Sequence, residues 1–227
     1  MKSTVFPPFS GTGIHVMSRM MGVSVGVSAK GWGYRSDIAI GRALPDMFLR
    51  HHCPVPSRGG SCHVQAMKPT LLISGCLSGQ PVRYDGTART LMQDSLARWQ
   101  AEGRVIAFCP ETAAGLPTPR PPAEIIQGRD GAAVLDGSGR VWEAGGHDVS
   151  GLFLVGAYRA LDLARRHGCR FALLMDGSPS CGSSFIYDGR FTGTRHAGQG
   201  VTAALLRRNG IAVYAPARFS CLEAVMD

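Results

Sequence analysis

The chain has 227 residues, 44% of them hydrophobic, with 30 glycines, seven cysteines and a formal net charge of +8. That length fits one domain with an appendage, since domains run to roughly 100–200 residues, and no apolar stretch reaches the ~20 residues of a membrane-spanning helix. The charge is not by itself a nucleic-acid signal. Residues 1–66 hold seven Lys/Arg against two Asp/Glu (+5), which leaves seventeen against fourteen (+3) for residues 67–227.

Residues 1–66 carry Pro7-Pro8, Gly11-Thr12-Gly13, Pro54-Val55-Pro56 and Gly59-Gly60 and no sustained apolar periodicity. Such a segment buries too little apolar surface to offset the entropy of ordering it. The expectation is a low-complexity, disordered extension over residues 1–66, upstream of a natural start at Met67, and one α/β domain over residues 67–227. His51, His52, Cys53, Cys62 and His63 in the extension could bind metal adventitiously but do not read as a designed zinc site. Seven cysteines without a secretory signal argue against a disulfide framework and for a reducing cytoplasm.

From Thr70 the chain alternates between apolar runs and helical patterns. Thr70 to Ser74 reads as a strand, a helix follows through Leu91, Leu96 and Trp99 and closes at Gly103, and Val105 to Phe108 reads as a second strand. After the Pro-rich stretch 117–122, the runs 132–135 and 140–142 flank Asp136-Gly137-Ser138-Gly139 and read as a β-hairpin or a pair of edge strands. Asp148 is placed to cap a long amphipathic helix that presents Phe153, Ala157, Leu161 and Ala164 on one stripe, runs to about His167 and stops at Gly168. Phe171 to Met175 then reads as a strand, Gly200 to Asn209 as a helix, Ile211 to Tyr214 as a strand and Phe219 onward as a terminal helix. This alternation predicts a single Rossmann-like three-layer domain, with a mostly parallel sheet covered by helices.

Three cysteines each stand where an apolar run gives way to Gly, Pro or Ser. Cys76 follows Leu71-Leu72-Ile73, Cys109 follows Val105 to Phe108, and Cys181 comes shortly after Phe171 to Leu174. On neighbouring parallel strands all three would emerge at the carboxyl edge of one sheet, where open α/β folds hold ligands. Their separations of 33 and 72 residues (109 − 76 and 181 − 109) exclude a compact zinc ribbon or ferredoxin knuckle, so tertiary structure must bring them together. The alternative is that they are small buried hydrophobes, as Cys169 and Cys221 read. Gly198-Gln199-Gly200 is not a dinucleotide fingerprint, and there is no P-loop. His147 and His196, the latter in a polar loop, read as surface histidines.

The longer motifs narrow the reading. Cys76-Leu77-Ser78-Gly79 with Val82-Arg83-Tyr84-Asp85-Gly86, Cys109-Pro110-Glu111 with the run 115–124, Asp148-Val149-Ser150, and Ser178-Pro179-Ser180-Cys181-Gly182 with Tyr187-Asp188-Gly189 resemble one family throughout, the thiouracil desulfidases, over about residues 67–213. The resemblance implies a [4Fe-4S] cluster held by Cys76, Cys109 and Cys181, with one iron open to accept the substrate's sulfur as a Lewis acid. It implies Glu111 and Ser178 as catalytic groups, because exchange of sulfur for oxygen needs proton transfer that a positioned carboxyl provides. Arg83, Tyr84, Asp85, Arg120 and Ser180 are its candidates for binding a thiolated pyrimidine. Arg83 and Asp85 can equally form a structural ion pair, and the two serines can cap the turn before Cys181. Where relatives commonly carry Lys this chain has Met175, and Gly177 replaces a larger residue, departures that bear on substrate range.

Two other functions keep the same cysteines. Zn²⁺ with water in a fourth position would make a hydrolase, and a module that carries thiolated nucleotides or tRNA without turnover would make a binding or sensing protein. The expected partner in the leading reading is a small thiopyrimidine, with no membrane.

Overall fold

The computed structural model describes residues 68–227. The expected extension, with His51, His52, Cys53, Cys62 and His63, lies outside the described residues.

Four parallel strands form the central sheet: β1 (Thr70–Ser74), β2 (Val105–Phe108), β5 (Cys169–Leu173) and β8 (Ala212–Tyr214), in the order β2-β1-β5-β8. The registers Leu72↔Ile106, Leu72↔Ala172 and Ala172↔Val213 align the strands side by side. Alternation along each strand sorts side chains onto two faces. Leu72, Ala172 and Leu174 pack into one core with α4 (Ser150–Arg166) and α5 (Val201–Arg208), while Leu71, Ile73 and Leu173 pack into another with α1 (Asp94–Ala101) and α6 (Phe219–Met226). The result is three layers.

Helix α4 buries Phe153, Gly156, Ala157, Ala160, Leu161 and Ala164, a stripe of mostly small residues that lets it lie close to its neighbours. The Asp148 carboxylate accepts a hydrogen bond from Ser150 N at 2.9 Å, but it does so from one residue before the helix, because the capping position is Val149 and not Asp148 as expected. Gly103 and Gly168 follow α1 and α4 at φ +69° and +61°, the left-handed conformation that ends a helix without strain. On the other face Trp99 is fully buried, its ring centroid 5.6 Å from that of Phe219, and its Nε1 donates to Asp227 at 2.8 Å. Burial of one such side chain contributes on the order of 1.5–3 kcal/mol.

Several expectations need correction. Residues 131–135 form helix α3 (Gly131–Leu135), not a strand, because Asp130 caps it by accepting from Ala132 N at 3.0 Å and Ala133 N at 3.3 Å. The strand that follows, β4 (Val141–Glu143), pairs antiparallel with β3 (Ala123–Ile125), directly after the Pro-rich stretch. Helix α1 begins at Asp94, so Leu91 packs from a loop. Strand β5 starts two residues before Phe171. His196 lies in a strand, within the antiparallel pair β6 (Phe185–Tyr187) and β7 (Arg195–Ala197). Cys221 is exposed on α6 and does not pack in a core. Among the described residues no helix is long and apolar enough to cross a membrane.

Candidate active site

The chain leaves β1 for β2 on one side and later returns to β5 on the other, so β1 and β5 flank the point where strand order reverses. Ligands of open α/β sheets sit outside the carboxyl ends of the strands at that point. Here the three ends β2, β1 and β5 run directly into the segments that carry Cys109, Cys76 and Cys181. Cys76 sits in a single helical turn, Gly75–Ser78, just after β1. Cys109 precedes α2 (Pro110–Ala113), whose first position is taken by Pro110, a residue with no N–H to leave unsatisfied there. Cys181 closes the loop after β5.

All three thiols line one cavity of about 590 Å³, together with Glu111, Ser178, Arg83, Tyr84, Arg120 and Met175. Cys169, by contrast, opens β5 at the opposite edge of the sheet. Burial pushes the Cys76 thiol up to about 11; Arg83 pulls against this, and the nearby Cys109 and Glu111 add to it. Burial also pushes Cys181 well above the usual thiol range, with the Ser74 hydroxyl opposing and Cys109, Glu111 and Cys76 adding to the rise. The mutual influence of these groups is the electrostatic mark of their shared site. A raised thiol alone is not: burial takes Cys169 to about 11 as well.

Glu111 is held from two sides. Arg120 donates to its Oε2 from Nη2 at 2.6 Å and from Nε at 3.0 Å, and the Ser178 hydroxyl donates to its Oε1 at 3.1 Å. Ser178 Oγ in turn accepts from Ser180 N at 3.0 Å and Cys181 N at 3.1 Å. One hydroxyl thus caps the turn before the third cysteine and ties that turn to the carboxylate beside the second. Asp176 closes the same loop from the other end, its Oδ1 accepting from Ser183 N at 2.7 Å and Ser184 N at 2.8 Å.

The remaining expected site residues divide. Tyr84 and Arg83 line the cavity, with the Arg83 guanidinium 5.7 Å from the Tyr84 ring centroid and its Nε buried without a hydrogen-bond partner. Arg120 lines it too, but its donors are engaged by Glu111, Pro117 O, Thr118 Oγ1 and Val82 O, so it orients the carboxylate from within the protein. Asp85 is not brought to the cavity. It accepts from Thr87 N at 3.0 Å and Thr87 Oγ1 at 2.6 Å, and sits 3.6 Å from Arg83, the structural pairing that sequence left open. Ser180 is fully buried with its hydroxyl 2.9 Å from that of Thr202, so it does not face the site. The sequence reading missed Asp176, Phe185, Tyr187 and Arg195, which also line the cavity. The run Phe185-Ile186-Tyr187, apolar and β-prone, was the available signal for its aromatic wall.

Residues 71–217 match the model of the 2-thiouracil desulfurase family. Uncharacterized protein YbbK of Bacillus subtilis (strain 168) is 41% identical over 143 residues, which cover 63% of this chain and 93% of that protein. A solved structure of TudS, a [4Fe-4S]-dependent thiouracil desulfidase, is 49% identical and superposes with a TM-score of 0.63, covering 69% of this chain and 97% of that one. The family match takes in the sheet, the cavity and all three cysteines that line it, and on it the chain belongs to the 2-thiouracil desulfurase family.

Proposed function

We propose that this protein is a [4Fe-4S]-dependent desulfidase that converts a thiolated pyrimidine, 2-thiouracil or a related thiobase or thionucleoside, and water into the oxo-pyrimidine and sulfide. The observation that carries this is the convergence of Cys76, Cys109 and Cys181, from three adjacent strand ends, on one cavity that also holds the Glu111–Ser178 pair. The donor set fits the cluster: three thiols, no further cysteine among the described residues lining the cavity, and room for a small planar substrate, since ligand sites commonly enclose about 300–1,000 Å³. Among the described residues no group of three His, Cys, Asp or Glu side chains is placed to hold a single metal ion.

When bound, the cluster would supply a Lewis-acidic iron with affinity for the substrate's sulfur. The chain supplies the rest. Cys76, Cys109 and Cys181, as thiolates, would hold the cluster. The net change is C=S plus H₂O to C=O plus H₂S, without oxidation or reduction. Glu111 accepts a proton from the attacking water and returns it to the departing sulfide. Arg120 keeps the carboxylate aimed, and Ser178 shares its hydroxyl proton with Oε1. Tyr84 and Arg83 provide a face and donors for the ring. The unit that does this is residues 67–227, which contain the whole family match. The five described cysteines are all free thiols, as a reducing cytoplasm would keep them.

Anaerobic purification or reconstitution should yield brown protein with about four irons and four sulfides per chain. Such protein should release sulfide from 2-thiouracil as the thiocarbonyl absorbance falls. Colourless protein that binds one zinc per chain would overturn the reading in favour of a hydrolase, and thiobase binding without sulfide release would leave a binding module.

A further inference from the structure

We infer that Arg195, on strand β7, is a specificity-determining residue that binds the flat heterocycle of the substrate, by stacking and through the donors along its guanidinium edge. The inference rests on the desulfidase reading and adds a residue to it.

Four arginines line the cavity besides the hairpin's aromatic rings: Arg83, Arg89, Arg120 and Arg195. Arg120 is consumed by Glu111 and by backbone carbonyls, Arg83 leans toward Asp85 at 3.6 Å, and Arg89, though without a side-chain hydrogen bond or ion pair among the described residues, rests on no aromatic ring. Arg195 differs from all three in how it is held. Exposed at the cavity, its side chain makes no hydrogen bond and no ion pair among the described residues, and it lies instead against two aromatic rings. Its guanidinium carbon lies 4.8 Å from the Phe185 ring centroid and 5.8 Å from that of Tyr187. The antiparallel register sets this geometry, because Tyr187 and Arg195 are directly opposed across β6 and β7.

A guanidinium resting on aromatic faces is fixed in orientation at little cost in side-chain freedom. Its outer face and its N–H edge are then free. A cation fixed in this way, without a protein acceptor, is matched to a ligand that presents a planar π surface and carbonyl, thiocarbonyl or ring-nitrogen acceptors. The same rings connect this arginine to the chemistry. Cβ of a larger residue at Gly177 would come within 3.3 Å of the Phe185 ring and 3.5 Å of the Tyr187 ring. Ser178, which donates to Glu111, is the next residue. A glycine at 177 therefore lets the aromatic shelf close against the loop that carries Ser178 and Cys181.

The test uses the cluster-loaded protein and 2-thiouracil, with Arg195→Gln, Arg195→Lys and wild type compared for iron per chain, visible spectrum, kcat, KM and direct binding of 2-thiouracil by calorimetry. Arg195→Gln should keep iron content and spectrum, hold kcat within about threefold, and raise KM and the thiouracil Kd by about tenfold or more, the usual effect of losing a charge-assisted contact. Arg195→Lys keeps the charge but loses the planar fork, and should recover less than half of that loss on a logarithmic scale. Unchanged KM and Kd in Arg195→Gln at wild-type iron content would overturn the inference while leaving the desulfidase reading intact. If wild type binds thiouracil without releasing sulfide and Arg195→Gln binds it more weakly, Arg195 stands and the desulfidase reading falls. No binding by wild type would overturn both.

Discussion

The residues around the cavity fall into two groups that are held in different ways. The segments that bear Cys109, Glu111 and Cys181 are packed from behind by helices. A methyl on Gly156 of α4 would overlap the Pro110 carbonyl, and one on Gly200, just before α5, would overlap the Ser180 carbonyl. Arg159 of α4 adds a hydrogen bond to the Ala113 carbonyl at the end of α2. Arg83, Tyr84 and Arg195, by contrast, stand on a loop and a short hairpin, with Tyr84 42% exposed and donors left without protein partners. Groups that hold a fixed cofactor gain from rigid packing, because their geometry must be correct before anything binds. Groups that recognise a substrate need spare hydrogen-bonding capacity, and a side chain satisfied inside the protein has none to offer.

The sharpest break should come at the thiols. Replacing Cys76, Cys109 or Cys181 by Ala should bleach the protein and abolish turnover, whereas Cys169→Ala and Cys221→Ala should keep iron content and colour. Iron counting and visible spectroscopy on the five variants decide this. Retention of full colour in any of the first three would show that Cys76, Cys109 and Cys181 do not hold the cluster as a set.

Glu111 lies in the packed group but takes a chemical role. Glu111→Gln preserves shape and can still accept from Ser178, so iron content and thiouracil Kd should stay close to wild type. Turnover should fall by about 10²-fold or more, the usual contribution of a positioned proton acceptor. Wild-type kcat at unchanged iron content would remove Glu111 from the mechanism and point to Ser178.

The glycine contacts test the packing directly. Gly156→Ala should push α2 away from α4 and destabilise the protein by about 1–3 kcal/mol, the range for overpacking a filled core. It should also speed iron loss to a chelator in the folded protein, because Glu111 rides on α2 and Cys109 immediately precedes it. Gly151→Ala in the same helix, where a methyl meets nothing within 4 Å, is the matched control and should leave iron retention unchanged. Equal chelation rates for the two variants would show that the helix does not set the position of α2.

The smallest expected effect lies far from both groups. Asp227 accepts from Trp99 Nε1 and from Arg98, and these contacts hold its carboxyl below the usual range, the Trp99 hydrogen bond most of all. A carboxyl lowered in the folded state contributes stability above its unfolded pKa of about 3.9 and loses it as pH falls through the folded value. Asp227→Asn should therefore lower Tm by a few degrees at most at pH 7, with the difference shrinking below about pH 4. A difference that persists undiminished at pH 2 would mean that the contact acts through packing alone.

Much of the fold was legible because its signals are local. The apolar runs of β1 and β2, the small-residue stripe of α4 and the stop at Gly168 each lie within one stretch of chain, and the three cysteines stand visibly at run ends. The misread stretches were short. Ala132-Ala133-Val134-Leu135 is compatible with either a strand or a helix, and the Asp130 carboxylate decided for the helix. The strands β3, β6 and β7 have three residues each, too few to show a period, and exist because each finds a partner.

Within the site, sequence marked the atoms and tertiary structure assigned their work. The sequence by itself determined the α/β alternation, the three cysteines and the Cys109-Pro110-Glu111 and Ser178-Pro179-Ser180-Cys181 motifs, because residue type and spacing along the chain suffice to recognise them. Only the tertiary structure decided that Arg120 serves Glu111, that Ser180 turns to Thr202, that Asp85 stays with Thr87 and that Arg195 stands free on an aromatic shelf. The physical reason is that hydrogen-bonding capacity is finite. Whether a polar side chain is available to a ligand depends on which partners the fold brings within about 3 Å of it, and those partners here come from 2 to 67 residues away along the chain.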